Sequence, residues 1–274
     1  MKIKLKKGTK VLIVGCFIGL SLLLYPRFSN YWNLRHSTQV VNSYENILED
    51  FAEADYHKIW DDAIQYNKDL LEENSTFELS AEMKSRYDET LNVTGDGLIG
   101  YVEIPKIGVT LPLYHTCSAY VLQSNAGHLE WSSLPTGGGS THCVISAHRG
   151  LPSAKLFTDL DMVREGDIFK ITVLDQTLNY EVDRIRTVEP EDLSELTVQN
   201  GKDICTLFTC TPYGINTHRL LVRGHRIAND EAEVRLVSEA VLIDELVVAA
   251  FVGYPILFIL TLIVLFKKPE SKKK

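Results

Sequence analysis

The stretch Ile204-Cys205-Thr206-Leu207-Phe208-Thr209-Cys210 decides how this chain is read. β-Branched and aromatic residues fill it, and Thr211-Pro212-Tyr213-Gly214 stops it at once. It therefore reads as a strand with Cys210 at its end, beside a loop. Nine residues past Cys210 a second β-rich run, RLLVRGHRI, opens at Arg219. Far upstream, Cys143-Val144-Ile145-Ser146-Ala147 runs into His148-Arg149-Gly150. A thiol, an imidazole and a guanidinium thus each fall where a strand meets a loop, the usual place for side chains that do chemistry on a rigid scaffold. A strand cysteine alone is as often a small buried filler, so the neighbours have to decide.

Working outward, short strands are expected at 98–104, 107–114, 119–123, 141–148, 168–174, 178–188, 203–210 and 219–227. The runs DIFKITV and LNYEVDRI flank Asp175-Gln176-Thr177 as a hairpin. Eight short strands with few long helices predict a mainly β fold, a closed barrel without exposed edges. Upstream, apolar residues from Val40 to Leu71 recur at spacings of three and four, marking one face of a long helix or of two joined near Ala54-Asp55. The opposite face carries Glu45, Glu49, Asp50, Glu53, Asp61 and Asp62, so it suits packing on the barrel better than lying on a membrane. Residues 74–97 are polar without clear periodicity and read as a flexible linker, with one helical turn near Ala81 to Tyr87.

Two apolar runs bracket this body. Val11 to Tyr25 follows five lysines, and no small-x-small site follows it, so it reads as an uncleaved signal anchor. Leu246 to Phe266 is long enough to span a bilayer and is followed by Lys267-Lys268. Lysines on the outer side of both runs place both tails in the cytoplasm and the middle outside. The net charge is −8, but 11 of the 28 basic residues lie in the tails or beside the runs. Between residues 28 and 245 that leaves 17 basic groups against 35 acidic ones (36 less Glu270), near −18. Such a middle has no basic face for nucleic acid. The expected division is 1–27 basic tail and anchor, 28–96 helical pre-region and lid-like linker, 97–230 barrel, 231–245 linker, 246–266 span and 267–274 basic tail.

The five cysteines form no CxxC pair and no metal-ligand spacing, so neither a dense disulfide framework nor a metal or other cofactor is expected. A thiol is only slightly ionised at neutral pH, and Cys210 needs a partner that takes its proton. His142 and His148 share one face of a strand, with only His148 at its end; His128, in a glycine-rich loop, is the runner-up. Arg219 offers a fixed positive fork for an oxyanion or a carbonyl, with Arg149, Arg223 and Arg226 as weaker alternatives.

TLFTC resembles the TLxTC signature of the sortases, cysteine transpeptidases of Gram-positive cell surfaces, and SAHRG upstream and Arg219 downstream stand in that family's order. The likeness runs from about Leu91 to Ile227. GYVEIPKIGVTLPLYH, GHLEWSSLP, THCVISAHRGLPSAKLFTDLD and TLFTCTPYGINTHRLLVRGHR are similar to the pilus-assembling class C in particular. The resemblance implies the sortase barrel and a catalytic set of Cys210, His148 and Arg219, with Thr209 as a candidate substrate contact. It implies as partners pilins or surface proteins with a C-terminal LPxTG-like motif, cut between Thr and Gly through a thioacyl-enzyme and joined to a pilin lysine. A class A-like wall-anchoring enzyme, a cysteine hydrolase and a non-catalytic surface barrel are the alternatives. Class C enzymes usually carry an Asp-Pro-aromatic lid motif; here Ser75-Thr76-Phe77-Glu78-Leu79 stands in its place, which implies a mobile segment and an open site.

Overall fold

A computed structural model describes residues 7–73, 77–229, 253–259 and 261–263. The chain divides into two compact units, Met1–Trp32 with Val241–Lys274, and Asn33–Ala240. Helix α1, Lys7–Leu48, is long and apolar enough at its start to cross a membrane, and its apolar window is unburied. Pro26 lies inside α1, so the boundary expected at 27/28 falls within a continuous helix. In the same unit a shorter apolar helix, Gly253–Ile263, sets Tyr254 and Phe258 edge-on to Phe17, with ring centroids 6.1 and 5.8 Å away. The expected linker 231–245, the tail 267–274 and the remainder of the span 246–266 lie outside the described residues.

In the second unit, α1 from Asn33 and helix α2, Glu53–Glu73, form the acidic pre-region. The break between them lies just before the expected junction. There the Asp55 carboxylate reaches back to accept from the Ala52 N–H at 3.2 Å, the carboxylate half of a capping box. Their apolar stripe is buried at Tyr44, Leu48, Ala63, Tyr66 and Leu70, as the spacing predicts. Tyr44 fastens α1 to the barrel: its hydroxyl donates to Ile99 O and accepts from Leu174 N, both at 2.8 Å. Burial pushes that phenol well above its ordinary pKa.

The stretch read as a flexible linker is more ordered than expected. Ser80 caps helix α3, Ala81–Glu89, accepting from Met83 N at 3.2 Å. Met83 and Tyr87 are buried, an i, i+4 pair obscured in the sequence by charged neighbours, and Leu91 is buried just past the helix end. Tyr87 donates to His128 Nδ1 at 2.9 Å, so this helix is tied into the barrel as well.

Eight strands close the barrel in the order β1-β2-β3-β4-β7-β8-β6-β5. They are β1 Leu98–Ile104, β2 Val109–His115, β3 Ala126–His128, β4 Thr141–Ser146, β5 Ile168–Val173, β6 Gln176–Val188, β7 Asp203–Thr211 and β8 His218–Ile227. The pairs β2/β3 and β4/β7 are parallel and the other pairs are antiparallel. The strand expected at 119–123 is instead helix α4, Ala119–Leu122, because Ser118 caps it by accepting from Val121 N at 3.3 Å. The third strand follows it, at 126–128.

Period-2 alternation sorts the central strands into two layers. Cys143 and Ile145 of β4, Cys205 and Leu207 of β7, and Leu220 and Val222 of β8 fill the barrel core. On the outer face Val144, Leu221 and Leu196 form a second cluster, with Trp131, Leu193 and Phe208 packed against it. Each fully buried aliphatic side chain contributes about 1.5–3 kcal/mol relative to exposure, so both layers hold the β4-β7-β8 frame.

Candidate active site

β4 and β7 run parallel with a constant offset, from Thr141 opposite Asp203 to Ser146 opposite Phe208. The ladder ends there, but the alignment continues through other bonds. Ala147 N donates to Phe208 O at 3.3 Å, and Thr209 Oγ1 donates to Ala147 O at 2.7 Å. Two residues on, Arg149 Nη1 donates to Thr211 Oγ1 at 3.0 Å. His148 therefore lies in register with Cys210. On the other side of β7, Cys210 pairs directly with Arg219 of β8.

Alternation then fixes the face. Phe208 and Cys210 share the outer side of β7, Val144 and His148 that of β4, and Arg219 and Leu221 that of β8. The imidazole, thiol and guanidinium thus come to one face at one end of three adjacent strands, and all three residues are partly exposed. Arg219 Nη1 donates to Asn216 O at 3.2 Å and to His218 O at 3.1 Å, and among the described residues no carboxylate neutralises it. Its charge is free to act on an incoming oxygen.

The alternatives are engaged elsewhere. His128 is fully buried, with Nδ1 on the Tyr87 hydroxyl and Nε2 at 2.9 Å from Ser133 O. His142 is sealed at the opposite end of β4, 3.0 Å from Thr197 O and 2.8 Å from Thr206 Oγ1, and burial lowers its pKa to about 4. Arg223 makes two 2.9 Å bonds to Asp183, and Arg226 lies over the Tyr180 ring. Arg149 is buried and ion-paired to Asp161. Thr209 turns away from the site: it is 1 % exposed, on the inner face, with its hydroxyl given to Ala147 O, so it braces the strands where a substrate contact was expected.

All five cysteines are free. Cys143 and Cys205 face each other in the barrel core, and burial raises the Cys205 thiol well above its ordinary pKa. Burial also pushes Cys117 up to about 12. Cys143 and Cys205 are buried in the barrel core, out of reach of a substrate at the surface.

The loops add features the sequence did not single out. After β7, Tyr213 and Ile215 are exposed beside the site, and the Tyr213 ring lies against Gly150, whose φ of +79° suits glycine. At the other end of the outer face a pocket of about 260 Å³ is lined by Leu70, Phe77, Trp131, His142, Leu196 and Val198, among others. Phe77 packs edge-on against Trp131 at 4.8 Å between centroids, so the described part of the segment expected to be mobile is docked there. Thr206, beneath that pocket, and Cys210 are four residues apart on β7, roughly 13 Å.

The Sortase domain family matches residues 102–227. Among solved structures, sortase C1 from Streptococcus agalactiae is 48% identical, with TM-score 0.68, covering 70% of this chain and 100% of that one. A Streptococcus pneumoniae sortase C is 46% identical, with TM-score 0.63, covering 69% and 97%. Sortase D of Bacillus subtilis (strain 168) is 29% identical over 131 residues, 47% of this chain and 63% of that protein's length. The chain belongs to the sortase family, whose members are cysteine transpeptidases, and it is similar to the class C group within it.

Proposed function

We propose that this chain is a class C sortase that joins the C-terminal sorting motif of one surface subunit to a lysine of another. The observation that carries the reading is the register: His148, just past the end of β4, lies beside Cys210 of β7 and Arg219 of β8 at one end of three adjacent strands, on one open face. Cys210 Sγ attacks the threonine carbonyl of an LPxTG-like motif, forming a thioester as the Thr–Gly bond breaks. His148 gives a proton to the departing glycine amine. Arg219 stabilises the oxyanion of each tetrahedral intermediate. The lysine amine of the acceptor then attacks the thioester, His148 takes the amine proton, an isopeptide bond forms, and Cys210 leaves as the thiolate beside the protonated imidazole.

The pilin acceptor rests on the likeness to class C enzymes, one of which is described by its pilin substrate specificity. The apolar pocket at the far end of the face suits the leucine of the motif, since three extended residues from leucine to threonine cover roughly 10 Å. The apolar start of α1 would anchor the enzyme. The lysines outside both apolar runs support a topology with both tails in the cytoplasm and the acidic middle facing out. The test of function is incubation of the full chain, in detergent, with a pilin bearing the motif. A ladder of covalent multimers that survives boiling in detergent is expected; hydrolysed monomer or glycine-linked product alone would replace this reading with hydrolysis or wall anchoring.

A further inference from the structure

We infer that Arg149 is a positioning residue that holds the His148 imidazole opposite the Cys210 thiol. The inference rests on the proposed pairing of those two groups. The β4–β7 ladder stops at Ser146, two residues before His148. Beyond that point the Ala147 N–Phe208 O and Thr209 Oγ1–Ala147 O bonds carry the alignment one residue further, and the Arg149 guanidinium carries it past the reacting pair. Nη1 donates to Thr211 Oγ1 at 3.0 Å, Nε donates to Thr158 O at 3.1 Å, and Nη2 is paired with the Asp161 carboxylate.

The partners are chosen by position. Arg149 follows His148 and Thr211 follows Cys210, so the Nη1 bond spans the two strands one residue beyond the reacting pair. The Nε bond pins the loop that returns beneath them. In that loop Phe157 N donates to His148 O at 3.1 Å and Gly150 N donates to Thr158 Oγ1 at 3.1 Å. The Arg149 side chain is only 6% exposed. A charge that deep is strongly unfavourable unless its N–H groups find partners, so the three bonds hold this geometry together. A lysine retains the charge but not the planar fork, and it cannot make three bonds in fixed directions. Misplacing a reacting group by about 1 Å costs on the order of a hundredfold in rate.

The test reads the thiol itself. Full chain in detergent is alkylated with iodoacetamide across pH 5–10, and Cys210 modification is followed by mass spectrometry for wild type, Arg149→Lys, His148→Ala and the double variant. His148→Ala is expected to slow alkylation near neutrality and raise its pH midpoint. Arg149→Lys is expected to do the same, about tenfold near neutrality, and to add nothing on top of His148→Ala, since it acts through that residue. A wild-type profile for Arg149→Lys, or additive effects in the double variant, would overturn the inference. Should Arg149→Lys fail to fold, Thr211→Val removes one tie without touching a charge; a smaller shift in the same direction is expected, and no shift overturns the inference. Lys155→Met removes the Lys155–Asp159 pair of the same loop and should leave the profile unchanged. A shift as large as that of Arg149→Lys would mean that any loosening of the loop suffices, and would also overturn it. Alkylation needs no peptide, so a sorting peptide that fails to react sinks the transpeptidase reading alone.

Discussion

β4 and β7 pair from Thr141 opposite Asp203 to Ser146 opposite Phe208, and the two ends of that seam have opposite fates. At one end His142 meets Thr206 beneath Leu196 and Val198, fully buried, with its pKa lowered to about 4 by burial. At the other, on the same face, His148 stands in register with Cys210, and both are partly exposed. The cysteines of β7 divide in the same way: Cys205 is locked in the barrel core, and Cys210 stands open on the outer face. The same residue types on the same strands are structural where a second layer covers them and available where that layer stops. Position along the strand and face of the sheet, more than residue type, separate filler from nucleophile.

The sharpest way to break this contrast is to exchange the cysteines for alanine. Cys210→Ala should abolish the thioester adduct and all product, a loss of at least a thousandfold. Cys205→Ala should keep the adduct and lose about 1 kcal/mol of stability through the small cavity it leaves. Mass spectrometry and denaturant melts read the two effects, and an adduct on Cys205 or Cys143 in Cys210→Ala would erase the distinction. Next in size, Arg219→Met should lower kcat by about 10²–10³ with little change in KM, the range for loss of one oxyanion donor. Arg223→Met, two positions along the same face, should chiefly lower stability, because it leaves Asp183 without its partner.

Much of this contrast was legible in the sequence. β-Branched runs ended by TPYG and by HRG placed Cys210 and His148 at strand ends, and strand spacing gave a closed barrel. Two parallel pairings, β2 with β3 and β4 with β7, join strands distant in sequence or separated by a crossover, and no local pattern encodes them. Thr209 was expected to touch substrate; parity along β7 turns it inward, and parity becomes usable only when the core face of the strand is known. The α3 pair of Met83 and Tyr87 was too sparse to stand out from charged neighbours. The Arg149 clamp joins residues 62 apart and leaves no periodic trace.

A pH series sharpens the buried end of the comparison. The neutral forms of His142 and His115 are favoured in the folded state, both by burial. As pH falls below about 6.5 the unfolded chain takes up protons that folded His142 refuses until about pH 4. Its contribution is therefore complete above about pH 6.5 and lost progressively towards pH 4, with a slope approaching about 1.4 kcal/mol per pH unit for one proton. Urea unfolding at pH 7, 6 and 5 should show this loss, and His142→Gln should flatten it. An unchanged slope in that variant would show that His142 titrates normally.

The smallest effect is expected at Phe77. Its ring rests on Trp131, by the covered end of the face, where Thr206 lies roughly 13 Å along β7 from Cys210. Phe77→Ala should change the rate of Cys210 alkylation by less than threefold. A tenfold rise would show that this segment closes over the open end too, with about 1.4 kcal/mol favouring closure.

The central claim, that the open end of the β4–β7 pair is a nucleophilic site, is tested most directly by trapping the acyl-enzyme. Full chain in detergent, mixed with an LPxTG-type peptide and quenched in acid, is digested and mapped by mass spectrometry. The account predicts an adduct of the peptide cut after its threonine, carried by Cys210 alone and missing from His148→Ala at the same early time. Peptide cleaved without any adduct on Cys210, or an adduct borne by Cys117, Cys143 or Cys205, would contradict it.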